Sequence, residues 1–206
     1  LQFARGLGKL PVVVRDVRGF LVNRILVPYI NEAAYLMEEG VSPFVLDTVA
    51  KKFGMPMGPA ELIDHIGVDV GHKVARILEA AYGSRMKVAP LLERMKANGF
   101  YGKRVGAGLY RYQGDTMKLN PGLDLPKMQR IIPEEEMLKR LIYPMVQEAS
   151  RCLEEKGVAE PGAVDIAMIM GTGFPPFRAG LLHYADDTGI RKIAEELERF
   201  ASTVDH

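Results

Sequence analysis

One cysteine, Cys152, is all the thiol chemistry in the sequence. An intrachain disulfide is excluded, and a reducing, cytoplasmic setting is the expectation. Long apolar runs are also missing. Nothing approaches the roughly 18 apolar residues of a membrane span, because Asn23, Arg24 and Pro28 break the longest candidate. The opening Leu1-Gln2-Phe3-Ala4-Arg5 has no apolar signal-peptide core and no initiating Met, which suggests a piece of a longer protein. Excess charge of either sign is absent. The 27 basic and 26 acidic residues leave a formal charge of +1, spread without blocks. That balance excludes a nucleic-acid-binding tail and an acidic solvating region.

What is present is material for a core: 48% of the 206 residues are hydrophobic, enough for one large or two small domains. The segment Leu10 to Asp16, with Val12, Val13 and Val14 in a row, reads as a short buried strand. No second segment of similar strength follows. A lone strand cannot satisfy its own backbone, so its partners are expected outside the chain, or it becomes an extended tail.

From Gly19 onward the period is helical. Apolar residues at 22, 25, 26, 29, 30, 33, 36 and 37 mark one face of a helix over 20–39, with Pro28 inside it and Gly40 closing it. Ser42-Pro43 opens a second helix that Gly54 ends. Met55-Pro56-Met57-Gly58-Pro59 must then be a tight loop. Short helices are predicted around 60–66, 70–82 and 88–98. Residues 99–132 are rich in Gly, Pro, Asn and Asp and read as a connector with a small hairpin near Gly108–Tyr112. Helices resume near 134–156, 162–170, 178–186 and 189–201, the last with Thr188 as its expected cap.

The sequence repeats itself. Asn23 to Ala33 resembles Lys139 to Ala149 at a constant offset: 140−24, 144−28 and 148−32 all give 116. Asp47 answers Asp165, and the loop at Pro56 answers the loop at Pro175. Two copies suit a face-to-face pair better than a solenoid, so the expected fold is all-α: two tandem, similar helical domains related by a pseudo-two-fold, with an orphan N-terminal strand. The expected divisions are 1–18, 19–98 for the first copy, 99–133 as connector and 134–206 for the second. The 206-residue chain should be soluble and monomeric.

Several residues invite chemistry that their context does not support. Gly102 to Gly108 is glycine-rich but lacks the strand before and helix behind that a phosphate loop needs. His65 and His72 lack companion ligands for a metal. Asp64 reads as a buried loop anchor, and Cys152 as an ordinary core residue without an activating base. Asn23 is the exception, because it sits early in an apolar helix where Asn is disfavoured.

The run Pro11-Val12-Val13-Val14-x-Asp16-x-x-Gly19-Phe20-x-Val22-Asn23-Arg24, followed by Pro56-Met57-Gly58-Pro59-x-x-Leu62-x-Asp64-x-x-Gly67-x-Asp69, resembles the C-terminal domain of 3-hydroxyacyl-CoA dehydrogenases. Pro144-Met145-x-x-Glu148 through Gly171-x-Gly173-Phe174-Pro175-Pro176-Phe177 resembles the second copy found in α-subunits of fatty-acid oxidation complexes. One departure is Arg18, where the family usually has Pro before Gly-Phe; it bears on the hinge.

The resemblance implies a helical fold of the 6-phosphogluconate dehydrogenase C-terminal type, preceded by an NAD-binding domain of which residues 1–18 would be the end. It implies oxidation of 3-hydroxyacyl-CoA to 3-oxoacyl-CoA by NAD, with a His–Glu dyad upstream of Leu1; His65, His72, His183 and His206 do not match that dyad. It carries an active-site asparagine onto Asn23 and places Phe20, Met57 and Gly58 with it on the substrate side. The implied partners are the chain's own NAD-binding domain, the acyl-CoA substrate and a thiolase subunit. NAD would be bound by the intact enzyme and not by this portion, which alone would be inactive. Two other readings stay open: a non-catalytic helical interaction module, and a dehydrogenase of another class such as those acting on sugar acids. The Gly-Phe-x-Val-Asn-Arg and Pro-Met-Gly-Pro pair argues against the latter.

Overall fold

A computed structural model describes residues 1–114, 116–128 and 130–204; His206 lies outside them. Among these residues there are ten α-helices and one two-stranded hairpin. After a five-residue helix α1 (Gln2–Gly6), the first copy comprises α2 (Val22–Glu38), α3 (Pro43–Phe53), α4 (Pro59–Ile66), α5 (Val68–Tyr82) and α6 (Pro90–Ala97). The hairpin follows, β1 (Tyr110–Gln113) and β2 (Thr116–Leu119). The second copy comprises α7 (Glu134–Glu154), α8 (Pro161–Thr172), α9 (Leu181–Thr188) and α10 (Ile190–Thr203).

Local sequence accounts for most boundaries. α3, α4, α6 and α8 each open on a proline, whose missing N–H falls where a helix start has no acceptor. α3 and α8 end on Gly54 and Gly173 in the left-handed region, with φ of 116° and 72°. The acidic triplet Glu134-Glu135-Glu136 sits in the first turn of α7, at the positive end of its dipole. α2 and α7 both run unbroken through an interior proline, Pro28 and Pro144.

α2 and α7 pack against each other at the centre of the molecule and place Ile25, Tyr29, Leu36, Leu141, Met145 and Ala149 in its core. Contacts across this seam are reciprocal. Arg24 pairs with Glu148 and Glu155, while Arg140 pairs with Glu32 and Glu39. The offset is again 116, now including 155−39. The two proline loops also exchange: Gly54 lies against Pro175, and Gly173 against Pro56. Residue i touching j′ while j touches i′ is the signature of a two-fold, here built within one chain.

Two expectations need correction. Residues 10–16 do not form a strand. Among the described residues their one strand-like pairing is an isolated bridge between Val14 and Val158, with Arg15 N donating to Gly157 O at 2.8 Å. Three β-branched residues favour extended backbone, but a ladder needs neighbours, and the described part of the chain offers one residue. Thr188 does not cap the last helix. It is the final residue of α9, and Gly189, with φ 96°, makes the turn into α10.

Candidate functional site

Asn23 is the second residue of α2 and is exposed, with no hydrogen-bond partner for its carboxamide among the described residues. An unusual turn positions it. Gly19 and Phe20 have φ of 78° and 50°. Glycine suits position 19, because its φ of 78° is one that L side chains rarely adopt and a Cβ there would lie 3.2 Å from Arg24 N. Phe20 has no such excuse: a non-glycine residue held in the left-handed region is strained by about 1–3 kcal/mol, and such strain concentrates at functional positions. Phe20 is 56% exposed.

Two clefts meet at Asn23. One, of about 250 Å³, is bounded by Val12, Val14, Phe20 and Ala167. The other, of about 200 Å³, runs beneath α2 between α4 and α5, with Val27, Ile30, Ile63, Val74 and Leu92 as apolar walls. Asn23 and Asn31 belong to the same α2 face of this second cleft, two turns apart, or about 12 Å along the axis. The arrangement is a narrow apolar slot with one free amide, able to donate to or accept from a substrate oxygen, at its junction with a second opening.

The structure therefore brings Phe20 and Asn23 to one cleft. Met57 and Gly58 line neither. Gly58 is buried against α3, where a Cβ would come within 2.2 Å of Asp47 Cα, and Met57 is half-buried beside it. Asp47 accepts from Ala60 N at 2.8 Å and from the Tyr110 hydroxyl at 2.6 Å, fixing the start of α4. Asp165 does the same for α9, accepting from Leu182 N at 2.6 Å, with Gly180 packed on it as Gly58 is on Asp47.

Asp64 is a loop anchor. It is 1% exposed and accepts from Leu109 N, Tyr110 N and the Tyr112 hydroxyl at 2.8, 2.9 and 2.9 Å. Burial raises its pKa against the pull of these donors. Gly102 and Gly108 pack directly on Asp64, where a Cβ would come within 2.3 and 2.0 Å of its oxygens. The glycines of this loop thus serve Asp64 packing. They do not face a strand-to-helix turn, so they do not fit a dinucleotide pyrophosphate. Cys152 is buried and its thiol is pushed up to about 11 by desolvation. Among the described residues, no three His, Cys, Asp or Glu side chains cluster as metal ligands, and no helix is long and apolar enough to cross a membrane.

The second copy has no equivalent amide. Lys139 stands at that position and is held by Glu135 and Glu196 at 2.7 and 2.8 Å. The sequence motifs pointed to Asn23 and Phe20. They gave no sign of Val12, Val14 and Ala167 as cleft walls, because those come from separate segments that only the fold joins.

An all-α pseudo-dimer, in which only the first copy carries an exposed amide at the start of its central helix, defines the class: a tandem helical domain whose halves have diverged. The chain belongs to the family described as 3-hydroxyacyl-CoA dehydrogenase, C-terminal domain, which it matches over residues 19–112 and 137–205. It is 40% identical over 214 residues to the fatty acid oxidation complex subunit alpha of Shewanella halifaxensis, covering 98% of this chain. To the subunit of the same name from Vibrio vulnificus it is 36% identical, again over 98% of this chain. The chain spans 29% of the length of each of these relatives. Its fold resembles the crystal structure of 3-hydroxybutyryl-CoA dehydrogenase from Escherichia coli, with a TM-score of 0.78 at 21% identity, covering 100% of this chain and 60% of that one. It also resembles the dehydrogenase part of multifunctional enzyme 1 from C. elegans, with a TM-score of 0.64 at 27% identity, covering 84% and 41%.

Proposed function

We infer that this chain is the substrate-side and assembly part of an NAD-dependent 3-hydroxyacyl-CoA dehydrogenase of fatty-acid β-oxidation, working in the cytoplasm. The observation that carries the reading is the exposure of Asn23. An amide serving only the helical core would be buried and paired. This one stands free at the start of α2, at the junction of two clefts and beside the strained Phe20.

In this reading Asn23 holds the substrate's C3 oxygen by a hydrogen bond that strengthens as the oxygen gains negative charge. The positive end of the α2 dipole adds to that field. Phe20 closes one side of the substrate, and the slot beneath α2 takes the apolar acyl chain. Met57 and Gly58 act one step back, by setting the start of α4, whose Ile63 and Ile66 line that slot. NAD supplies the hydride acceptor when bound. The residues described here offer no cradle for it, so the nucleotide and the proton-abstracting dyad belong to another domain of the intact enzyme.

The complex α-subunit relatives support an assembly role as well, with a thiolase subunit as the partner we propose. The test of the reading is NADH formation from 3-hydroxybutyryl-CoA. The intact polypeptide containing this chain should produce NADH, and the chain alone should produce none. Production by the chain alone would overturn the division of labour.

A further inference from the structure

The two copies differ by one helix. In the first, residues 83–89 lead from α5 into α6, which presses Leu91, Leu92 and Met95 into the groove between α2 and α5; these are 0%, 3% and 1% exposed. Polar contacts fix its ends. Ala89 N donates to Asn31 Oδ1 at 2.8 Å, Arg94 meets Glu38 at 2.8 Å, and Glu93 meets His72 Nε2 at 2.9 Å. Without α6 the apolar faces of α2 and α5 would stand open to water.

In the second copy they do stand open. α7 and α10 are the counterparts of α2 and α5, displaced by 116 residues and, from Gly67 and Gly189, by 122. The groove between them has a volume of about 520 Å³ and an apolar floor of Val146, Ile193, Leu197 and Phe200. Its walls repeat the α6 seat position by position. Gln147 stands for Asn31, Glu154 for Glu38, and Ala194 for His72, and all three line the groove. A cleft of this size arising at random would not reproduce the fixings of a helix that the other copy holds.

We propose that this groove receives a short amphipathic helix of a partner protein. The occupant carries Leu- or Met-sized side chains at positions i, i+1 and i+4, and a basic residue at i+3 to meet Glu154, as Arg94 meets Glu38. Gln147 accepts a backbone N–H at the helix start, as Asn31 does for Ala89. Ala194 replaces the histidine that binds Glu93, so no acid is needed at i+2. This is recognition of a helix by a groove, with affinity in the apolar anchors and register in the polar ends. Among the described residues, the helix of this kind, α6, is already seated in the first copy. The proposal rests on reading the chain as part of an assembled subunit.

The probe is a fluorescent peptide with the sequence of residues 87–98, titrated into the chain and into the intact polypeptide that contains it. Saturable one-to-one binding to both is expected. Ala194→Arg, at an exposed position, should weaken binding at least about tenfold. A peptide carrying Leu91→Ser, Leu92→Ser and Met95→Ser should not bind. Absence of saturable binding, or binding to the Ala194→Arg variant as tight as to the parent chain, would overturn the proposal. Binding to the chain but not to the intact polypeptide would also overturn it, by assigning the groove to a segment of the same protein. Ala194→Arg should leave NADH formation by the intact enzyme unchanged, so this result is read separately from the dehydrogenase assignment.

Discussion

Arg24 Nε meets Glu148 Oε1 at 2.6 Å across the seam between the copies, with side chains 1% and 3% exposed. Its symmetry mate, Arg140 Nε to Glu32 Oε1, is also 2.6 Å. Buried charges of this kind add little over a well-packed apolar pair, but removing one partner leaves the other uncompensated in a low-dielectric interior. Glu148→Ala leaves Arg24 only the half-exposed Glu155, at 2.8 Å, so it should cost up to about 3–5 kcal/mol in urea unfolding, while Arg24→Met with Glu148→Leu together should cost far less. Equal losses for the single and double variants would mean that the pair is not coupled.

Gly58 and Gly180 predict a steric effect. Alanine at 58 would place a Cβ 2.2 Å from Asp47 Cα, and alanine at 180 a Cβ 2.3 Å from Asp165 Cβ, with a φ of 119° in addition. Each substitution should lower stability by about 1–3 kcal/mol from overpacking, and Gly180→Ala by more because of its backbone. Thermal melts measure this. Gly58→Ala with unchanged stability would remove the structural role assigned to that residue.

Asp47 predicts a pH dependence. Burial pushes its carboxyl up to about 6, while hydrogen bonds from Tyr110 and Ala60 act in the opposite direction. In the unfolded chain an aspartate titrates near 3.9. Between about pH 4 and pH 6 the folded state thus binds more protons than the unfolded one, and stability falls as pH rises. The contribution is complete below about pH 4 and lost above about pH 6, on the order of 2–3 kcal/mol in total. The stability difference between the parent chain and Asp47→Asn should decline across that window. A flat difference would show that Asp47 titrates alike in both states.

Much of this architecture was legible in the sequence. Proline and glycine punctuation marked α3, α4 and α8, and the offset of 116 announced the pseudo-two-fold before any contact was seen. The Thr188 cap was missed locally, because Gly189 makes the turn instead; the other failures depended on partners distant in sequence. Val12 to Val14 looks like a strand locally, but only Val158 arrives to pair with it. The hairpin lies at Tyr110–Gln113 and Thr116–Leu119, slightly beyond the segment expected, because Tyr110 and Tyr112 are drawn down onto Asp47 and Asp64. At the site, motif resemblance singled out Phe20, Asn23, Met57 and Gly58; Phe20 and Asn23 line the clefts, and Gly58 packs on Asp47.

The most direct test of the account is steady-state kinetics of Asn23→Ala in the intact polypeptide that contains this chain, with 3-hydroxyacyl-CoA substrates. Asn23 is exposed, so the variant should fold with stability within about 0.5 kcal/mol of the parent. If its amide stabilises the developing oxyanion, kcat should fall by roughly 100- to 1,000-fold, about 2.7–4 kcal/mol, with KM changed far less. An unchanged kcat, with or without a raised KM, would contradict the claim that this helical domain contributes a group to the chemistry.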